Sequence, residues 1–171
     1  MYDWELADPV FNVWVRMRQA WEALDKAVEV ELGKRQTTLS QMDVLVILSN
    51  SKRPLTPGEI ASYMFREKHS ASALLTRMQR AGLVKKTRSK KDQRVVKIKV
   101  QPKGEDLLRQ AMPASFGQAH RLLKSCLSDQ ETAQLDGLLK KVRDRALQEL
   151  GLKAEPLPAV VEVAGLLTET R

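Results

Sequence analysis

The apolar periodicity of the chain changes at Gly82, and this change restricts the fold more than any other feature. Before it, four apolar residues recur at helical spacing: Ala71, Leu74, Leu75 and Met78. After it, Leu83-Val84 opens a strand, and the apolar residues of 96–100 alternate with lysines on a second strand. We therefore predict a helix that ends at a glycine and leads directly into a β-hairpin.

A second short helix is predicted just before the first. Thr56-Pro57-Gly58-Glu59 supplies a cap, a proline at the first helical position and the glutamate of a capping box. The preceding segment 49–55 contains Asn50, Ser51 and Pro54 and is predicted to be a turn. Two short helices joined by a tight turn form a helix-turn-helix, and the hairpin after them makes it a winged helix.

Two helices are predicted ahead of this unit. The first runs from Pro9 to about Gly33, and the second from a cap at Ser40, with Asp43 favouring its first turn, to about Asn50. Apolar residues on the first helix follow a heptad spacing. This seam packs either on the chain's own core or on a partner helix. Its members are Val10, Trp14, Met17, Trp21, Leu24 and Val28.

Helical periodicity resumes after Gln101-Pro102. Gln101 is a poor helix cap, but the proline still starts a helix, and Pro113 should kink or interrupt it. Ser128 and Glu131 form a second capping box that opens a last helix. The apolar stripe of that helix contains Leu135, Leu138, Leu139, Val142, Ala146 and Leu150. Residues 152–171 form either a short docked helix or an unstructured end.

The positive charge is concentrated in the middle of the chain. Residues 39–104 contain 15 basic and 4 acidic residues, whereas residues 1–38 contain 5 and 7, and residues 105–171 contain 9 and 10. Such a block is typical of a protein with a polyanionic partner. Charge alone leaves nucleic acid, an anionic membrane and an acidic protein open. Eight basic residues lie on or beside the hairpin: Lys85, Lys86, Arg88, Lys90, Lys91, Arg94, Lys97 and Lys99.

The composition of the 171 residues argues against other classes of protein. There is no run of 18 apolar residues, so we expect a protein that does not span a membrane and works in the cytoplasm. Cys126 is the single cysteine, and we expect it to be a small buried residue with no disulfide partner. Two isolated histidines do not suggest a metal site. We expect no cofactor, and no phosphate loop or nucleophile elbow suggests an enzyme.

The sequence resembles the MarR family of winged-helix transcription regulators over about residues 10–150. The motifs that carry the resemblance are 39–41 (Leu-Ser-Gln), 55–61 (Leu-Thr-Pro-Gly-Glu-Ile-Ala), 74–78 (Leu-Leu-Thr-Arg-Met) followed by 82–84, and Asp92-Gln93-Arg94. One departure is Gln101-Pro102-Lys103-Gly104, where the family usually has Thr-x-x-Gly. A second is the apolar extension after Leu150.

The resemblance implies a mainly α fold with a small β-hairpin. It divides the chain into an N-terminal dimerisation helix (1–38), a winged helix-turn-helix that binds DNA (39–104), C-terminal dimerisation helices (105–151) and an extension of unassigned role (152–171). It also implies a homodimeric regulator, a repressor of a pseudo-palindromic operator. A small aromatic or phenolic effector would bind between the dimerisation and DNA-binding parts and release the DNA.

Candidate DNA contacts follow from helical geometry. With the apolar face of the second helix of the motif turned inward, its other side chains face the major groove, where hydroxyls can bond base edges or only phosphates. Arg77 alternatively braces the wing through Asp92. The candidates on this helix are His69, Ser70, Ser72, Ala73, Thr76 and Arg77.

The wing supplies the second set of candidates. Arg94 is our choice for a narrow minor groove, because its guanidinium is weakly hydrated and strongly attracted to negative potential. We expect Asp92 to orient Arg94, and Lys90 and Lys91 to contact phosphates. Arg88 completes this set.

The dimer is expected to form through apolar residues of the first and last helices. They are Val10, Trp14, Met17, Trp21, Leu135, Leu138, Leu139 and Val142. Four residues could instead line an aromatic-binding pocket, although this spacing is more typical of a core or interface: Trp14, Met17, Trp21 and Met42. An alternative function is a winged helix that docks proteins without sequence-specific DNA binding. The basic wing argues against that alternative.

Overall fold

The computed structural model describes residues 5–88 and 92–153. Within them the chain forms six helices and one antiparallel hairpin, in agreement with the predicted fold class. The elements are α1 (Pro9–Gly33), α2 (Leu39–Ser49), α3 (Pro57–Tyr63), α4 (Lys68–Arg80), β1 (Val84–Arg88), β2 (Val96–Val100), α5 (Pro102–Cys126) and α6 (Asp129–Glu149).

Helices α2, α3 and α4 pack with the hairpin around one apolar core. Val84 pairs with Val100 at the base of the hairpin and Arg88 with Val96 at its far end. Leu55, predicted to lie in a turn, forms a bridge with Ile98, whose amide donates to the Leu55 carbonyl at 2.7 Å. The winged helix therefore has a third, one-residue strand beside β2. This core contains Val44, Leu45, Ile47, Leu48, Leu55, Ile60, Leu74, Leu75, Met78, Leu83, Val84 and Ile98.

Polar residues at helix ends fix where the helices start. Thr56 with Glu59 and Ser128 with Glu131 form the two predicted capping boxes. The cap predicted at Ser40 is wrong, because Thr38 caps α2 in a third box with Gln41. The Gln41 side chain accepts from the Thr38 amide at 3.1 Å, so Ser40 is already inside the first turn.

The sequence predicts either a kink or an interruption at Pro113; helix α5 is continuous from Pro102 to Cys126, so the interruption does not occur. Proline removes one backbone donor from a helix. Nearby groups bond to the backbone here: Arg35 donates through Nε to the Gln110 carbonyl at 3.1 Å, and the Ser115 hydroxyl lies within 3.2 Å of the Ala111 and Met112 carbonyls. As expected, Gln101 makes no side-chain cap at the start of α5.

The second core joins α1, α2 and α5. It is formed by Val28, Leu32, Met42, Ala111 and Met112. Met42 is therefore a core residue. Cys126 is exposed, so its predicted burial is wrong; it lies in the last turn of α5, where its thiol donates to the Leu122 carbonyl at 3.3 Å. Residues 154–171, with the apolar patch of the extension, lie outside the described residues.

Candidate DNA-binding surface

Helix α4 presents one apolar and one polar face, as the sequence predicts. Ala71, Leu74, Leu75 and Met78 are buried. The opposite face carries short polar side chains and a cation, and every candidate on it except Thr76 is exposed. The exposed candidates are His69, Ser70, Ser72, Ala73 and Arg77. A ridge of short side chains lets the helix backbone approach a groove closely.

Thr76 is half-buried and its hydroxyl already has two partners. It donates to the Ser72 carbonyl at 2.9 Å and accepts from Lys86 Nζ at 3.0 Å. Since Lys86 lies on β1, this contact ties α4 to the first strand of the wing. The hydroxyl predicted to contact DNA is thus engaged within the protein, and Lys86 has a bracing role that the sequence did not suggest.

Arg77 extends from α4 without an internal partner. The ion pair with Asp92 that the sequence offered does not form, and no other hydrogen bond or ion pair of the Arg77 side chain occurs within residues 5–88 and 92–153. Its guanidinium is exposed. Arg77 is therefore available to an external anion.

The far end of the wing carries Arg88 and Arg94, both exposed. The expected contact between Asp92 and the Arg94 guanidinium is absent; the carboxylate accepts from the backbone amide of Arg94 at 2.9 Å, and the Asp92 carbonyl accepts from the Val95 amide at 3.0 Å. Asp92 thus shapes the turn and leaves the guanidinium unpaired within the described chain. Lys90 and Lys91 lie outside the described residues.

Glu59 connects the start of α3 to the loop before it and to the wing. Its carboxylate accepts from the Thr56 amide and hydroxyl at 2.6 and 2.8 Å, and pairs with Arg53 and, at 3.8 Å, with Lys97. The Arg53 hydrogen bond is the largest cause that lowers the pKa of Glu59 from 4.5 to about 2. The sequence predicted the cap, but these two ion pairs join residues distant in the chain and were missed.

The turn between α3 and α4 contains a second feature missed from the sequence. Phe65 adopts a left-handed backbone conformation with φ of 52° and is 64% exposed. The Arg66 amide donates to the Ala61 carbonyl at 2.9 Å and closes the end of α3 around this residue. An aromatic residue rarely occupies this region, where glycine has no steric cost. No glycine at this position marked the turn in the sequence.

Apolar side chains remain exposed on the first and last helices. Trp14 and Trp21 on α1 are 60% and 64% exposed, and Leu138 on α6 is 62% exposed. Helix α6 has no buried residue. The heptad seam divides: Val28 lies in the core of the protomer, whereas Val10, Trp14 and Trp21 do not. Such large apolar exposure on two helices is typical of an interaction surface.

The described part of the chain contains neither a cluster of metal ligands nor a membrane-spanning helix. Across these residues there is no group of three or more His, Cys, Asp or Glu side chains placed to hold a metal ion. None of the helices in residues 5–88 and 92–153 is both long enough and apolar enough to cross a membrane.

The chain is similar in sequence to known transcription regulators. Residues 36–95 match the model of the MarR family. Over 104 residues the chain is 23% identical to the transcriptional repressor MprA of Escherichia coli K12, an alignment that covers 61% of this chain and 58% of that repressor. The match therefore spans less than two thirds of this relative.

Solved structures share the fold over most of the chain. The ligand-free organohalide-sensing regulator RdhR-CbdbA1625 has a TM-score of 0.81 at 24% identity, covering 94% of this chain and 96% of that one. Its 2,4-dichlorophenol-bound form has a TM-score of 0.76 at 25% identity, covering 86% of both. A cysteine-to-serine mutant of E. coli MarR in complex with operator DNA has a TM-score of 0.72 at 23% identity, covering 81% of this chain and 99% of that one.

Proposed function

We propose that this chain is a winged-helix regulator of the MarR type, which binds duplex DNA sequence-specifically and regulates transcription as a repressor. One observation carries the proposal: an exposed helix of short polar side chains is tied through Lys86 to a hairpin whose far end carries Arg88 and Arg94, and neither guanidinium has a partner within residues 5–88 and 92–153. The MarR structure with operator DNA supports this reading of the shared fold.

Recognition is divided between α4 and the wing in this proposal. Ser70, Ser72 and Ala73 face the major groove, where hydroxyls bond base edges or phosphates and the alanine methyl contacts thymine. Arg77 contacts the DNA backbone. Arg94 enters the adjacent minor groove, where a free guanidinium is favoured over a strongly hydrated ammonium. Phosphate contacts by Arg88, Lys90 and Lys91 add affinity without sequence choice.

The proposed active species is a homodimer on a pseudo-palindromic operator. The exposed apolar faces of α1 and α6, including Trp21 and Leu138, provide the surface that a second copy would cover. A two-fold dimer presents two recognition helices to half-sites about one helical turn of DNA apart. The same surface leaves each protomer incomplete alone, because α6 buries none of its apolar stripe within the protomer.

An effector is the second part of the proposed regulation. The structural relative that binds 2,4-dichlorophenol supports an aromatic or phenolic compound as effector for this chain. Trp14 and Trp21, considered from the sequence as pocket residues, are exposed in the protomer. Only a pocket completed by the second protomer would enclose them.

The proposal is tested by selecting duplexes from a random pool and measuring the affinity of the selected site by fluorescence anisotropy. We expect two half-sites and an affinity that falls steeply with salt, since each neutralised phosphate releases counterions. Arg94→Gln should weaken binding about a hundredfold when both wings lose a contact worth roughly 1–3 kcal/mol. Arg145→Gln, which removes an equal charge on α6, should have little effect.

Sedimentation of both variants checks that the dimer persists. Retention of wild-type affinity by Arg94→Gln would show that the wing assignment is wrong. If no duplex is enriched and binding is insensitive to salt, the winged helix is a protein-docking unit and the proposal fails.

A further inference from the structure

One aromatic ring, in the turn between α3 and α4, belongs to neither of the two cores of the described chain. Tyr63 and Met64 pack against the core of the winged helix, whereas the next residue, Phe65, is 64% exposed. Its φ of 52° lies in the left-handed region, where a residue with a Cβ is strained. Burial of the ring within the protomer therefore does little to offset this strain.

Hydrogen bonds on both sides hold Phe65 in the strained conformation. Its amide donates to the Ser62 carbonyl at 3.1 Å, and the Arg66 amide donates to the Ala61 carbonyl at 2.9 Å. Arg66 Nη2 also donates to the Ser40 hydroxyl at 2.9 Å, which attaches the turn to α2. Strained residues that their surroundings hold in place cluster at functional sites.

The position of Phe65 in the chain places its ring beside the proposed recognition helix. Phe65 is three residues before Lys68, the first residue of α4, so their Cα atoms are at most roughly 11 Å apart. In the proposed complex the N-terminal residues of α4 reach base edges in the major groove. The ring is therefore within reach of the edge of the same groove.

The charge around the ring favours DNA over an apolar partner. Arg66 and Lys68 follow Phe65 closely, with Glu67 as the one acid between them. The Lys68 ammonium is exposed and makes no ion pair within residues 5–88 and 92–153. In the major groove, the apolar group that a phenyl ring can contact is the C5-methyl of thymine.

We propose that Phe65 is a specificity-determining residue whose ring packs on the C5-methyl group of one thymine in each half-site. The inference rests on the proposed function, to which it adds a base contact made from outside the recognition helix. In the complex the ring buries apolar surface that is exposed in the free protein, and this burial offsets the strain of the turn.

A methyl scan of the selected duplex tests the contact. Each thymine is replaced by deoxyuridine, which lacks the methyl group, in both half-sites at once, and affinity is measured by fluorescence anisotropy. At one position the wild-type chain should lose about tenfold in affinity, since two methyl contacts are removed. Phe65→Gly should bind the unmodified duplex about tenfold more weakly and lose nothing further at that position. A thymine contacted by Ala73 would remain sensitive in this variant.

Measurements of stability separate the ring from the strain. Phe65→Gly should raise the urea midpoint by about 0.3 M, because relief of strain exceeds the added entropy of the unfolded chain. Gln36→Gly is the matched control, since Gln36 has a φ of 55° in the loop between α1 and α2; it should stabilise similarly and leave duplex affinity unchanged. Phe65→Leu keeps an apolar side chain and should retain most of the affinity and the methyl sensitivity.

Three results would overturn the inference and leave the proposed function standing. In the first, no thymine methyl in the selected duplex depends on Phe65. In the second, Phe65→Gly binds that duplex with wild-type affinity. In the third, Phe65→Gly sediments as monomers, which would make the ring a contact between protomers. If no duplex is selected or bound by the wild-type chain, the proposed function itself fails, and the inference fails with it.

Discussion

Gly104, in the first turn of α5, provides the sharpest test of how the wing is joined to the rest of the molecule. A Cβ on this residue would lie 2.3 Å from the Leu83 carbonyl oxygen, 2.9 Å from Val100 Cγ1 and 3.1 Å from Leu45 Cδ2. The nearest of these atoms is backbone. The Leu83 carbonyl also accepts the Gln101 amide at 2.9 Å, so moving it disturbs the start of α5.

The expected cost of Gly104→Ala follows from these contacts. Overpacking a core site costs about 1–3 kcal/mol, and weakening one hydrogen bond about 0.5–1.5 kcal/mol. Alanine recovers up to about 1 kcal/mol of helix propensity. The net loss in the free energy of unfolding should be about 2 kcal/mol. This is a large share of the roughly 5–15 kcal/mol that stabilises a typical domain.

Urea unfolding followed by circular dichroism at a fixed protomer concentration measures this loss. With a slope of about 2 kcal/mol per molar urea, the midpoint should fall by about 1 M. Gly33→Ala is the control, because a Cβ at the end of α1 would meet nothing within 4 Å; it should be neutral or slightly stabilising. If Gly104→Ala unfolds at the wild-type midpoint, the Leu83 carbonyl does not pack closely against the first turn of α5.

Three further variants test other parts of the structure. Glu59→Gln should lower the free energy of unfolding by about 1 kcal/mol above pH 4.5, and this difference from the wild type should vanish as pH falls from 4.5 to about 2. A difference that stays constant over that pH range would contradict this expectation. Leu138→Glu should give folded monomers by light scattering, whereas Ala133→Glu on the opposite face of α6 should remain dimeric. Lys86→Met should alter the preferred half-site sequence more than the salt dependence of DNA affinity, because Lys86 joins α4 to the wing through Thr76. If only the salt dependence changes, Lys86 contacts phosphate and does not position the recognition helix.

The helices could be predicted because their signals are local. Apolar spacing and the Thr56 and Ser128 boxes depend on residues within one turn of each other. The cap of α2 was misplaced because Thr38 and Ser40 are both good caps, and the choice depends on Gln41 reaching back to Thr38. Near Pro113, the bond from Arg35 to the Gln110 carbonyl joins residues 75 positions apart, so no local pattern shows it.

Long-range contacts account for the errors in the candidate site. The ion pair between Glu59 and Lys97 joins residues 38 positions apart, and the one-residue strand at Leu55 exists only because Ile98 lies beside it. The exposure of Cys126 was mispredicted for a similar reason, because the burial of a residue at a helix end depends on which distant segments pack over it. Periodicity predicted which face of α4 points outward, but not which side chains on that face already have hydrogen-bond partners within the protein.

The internal hydrogen bonds of Thr76 limit its part in base recognition. A hydroxyl has one proton, and that of Thr76 is donated to the Ser72 carbonyl while Lys86 donates to its oxygen. To donate to a base edge, Thr76 would have to give up its bond to the Ser72 carbonyl, and such a hydrogen bond contributes roughly 0.5–1.5 kcal/mol. A correct base contact is worth about the same. The exchange therefore yields little net selectivity, so base discrimination on α4 should come from the exposed Ser70, Ser72 and Ala73, with Thr76 and Lys86 setting the angle between recognition helix and wing.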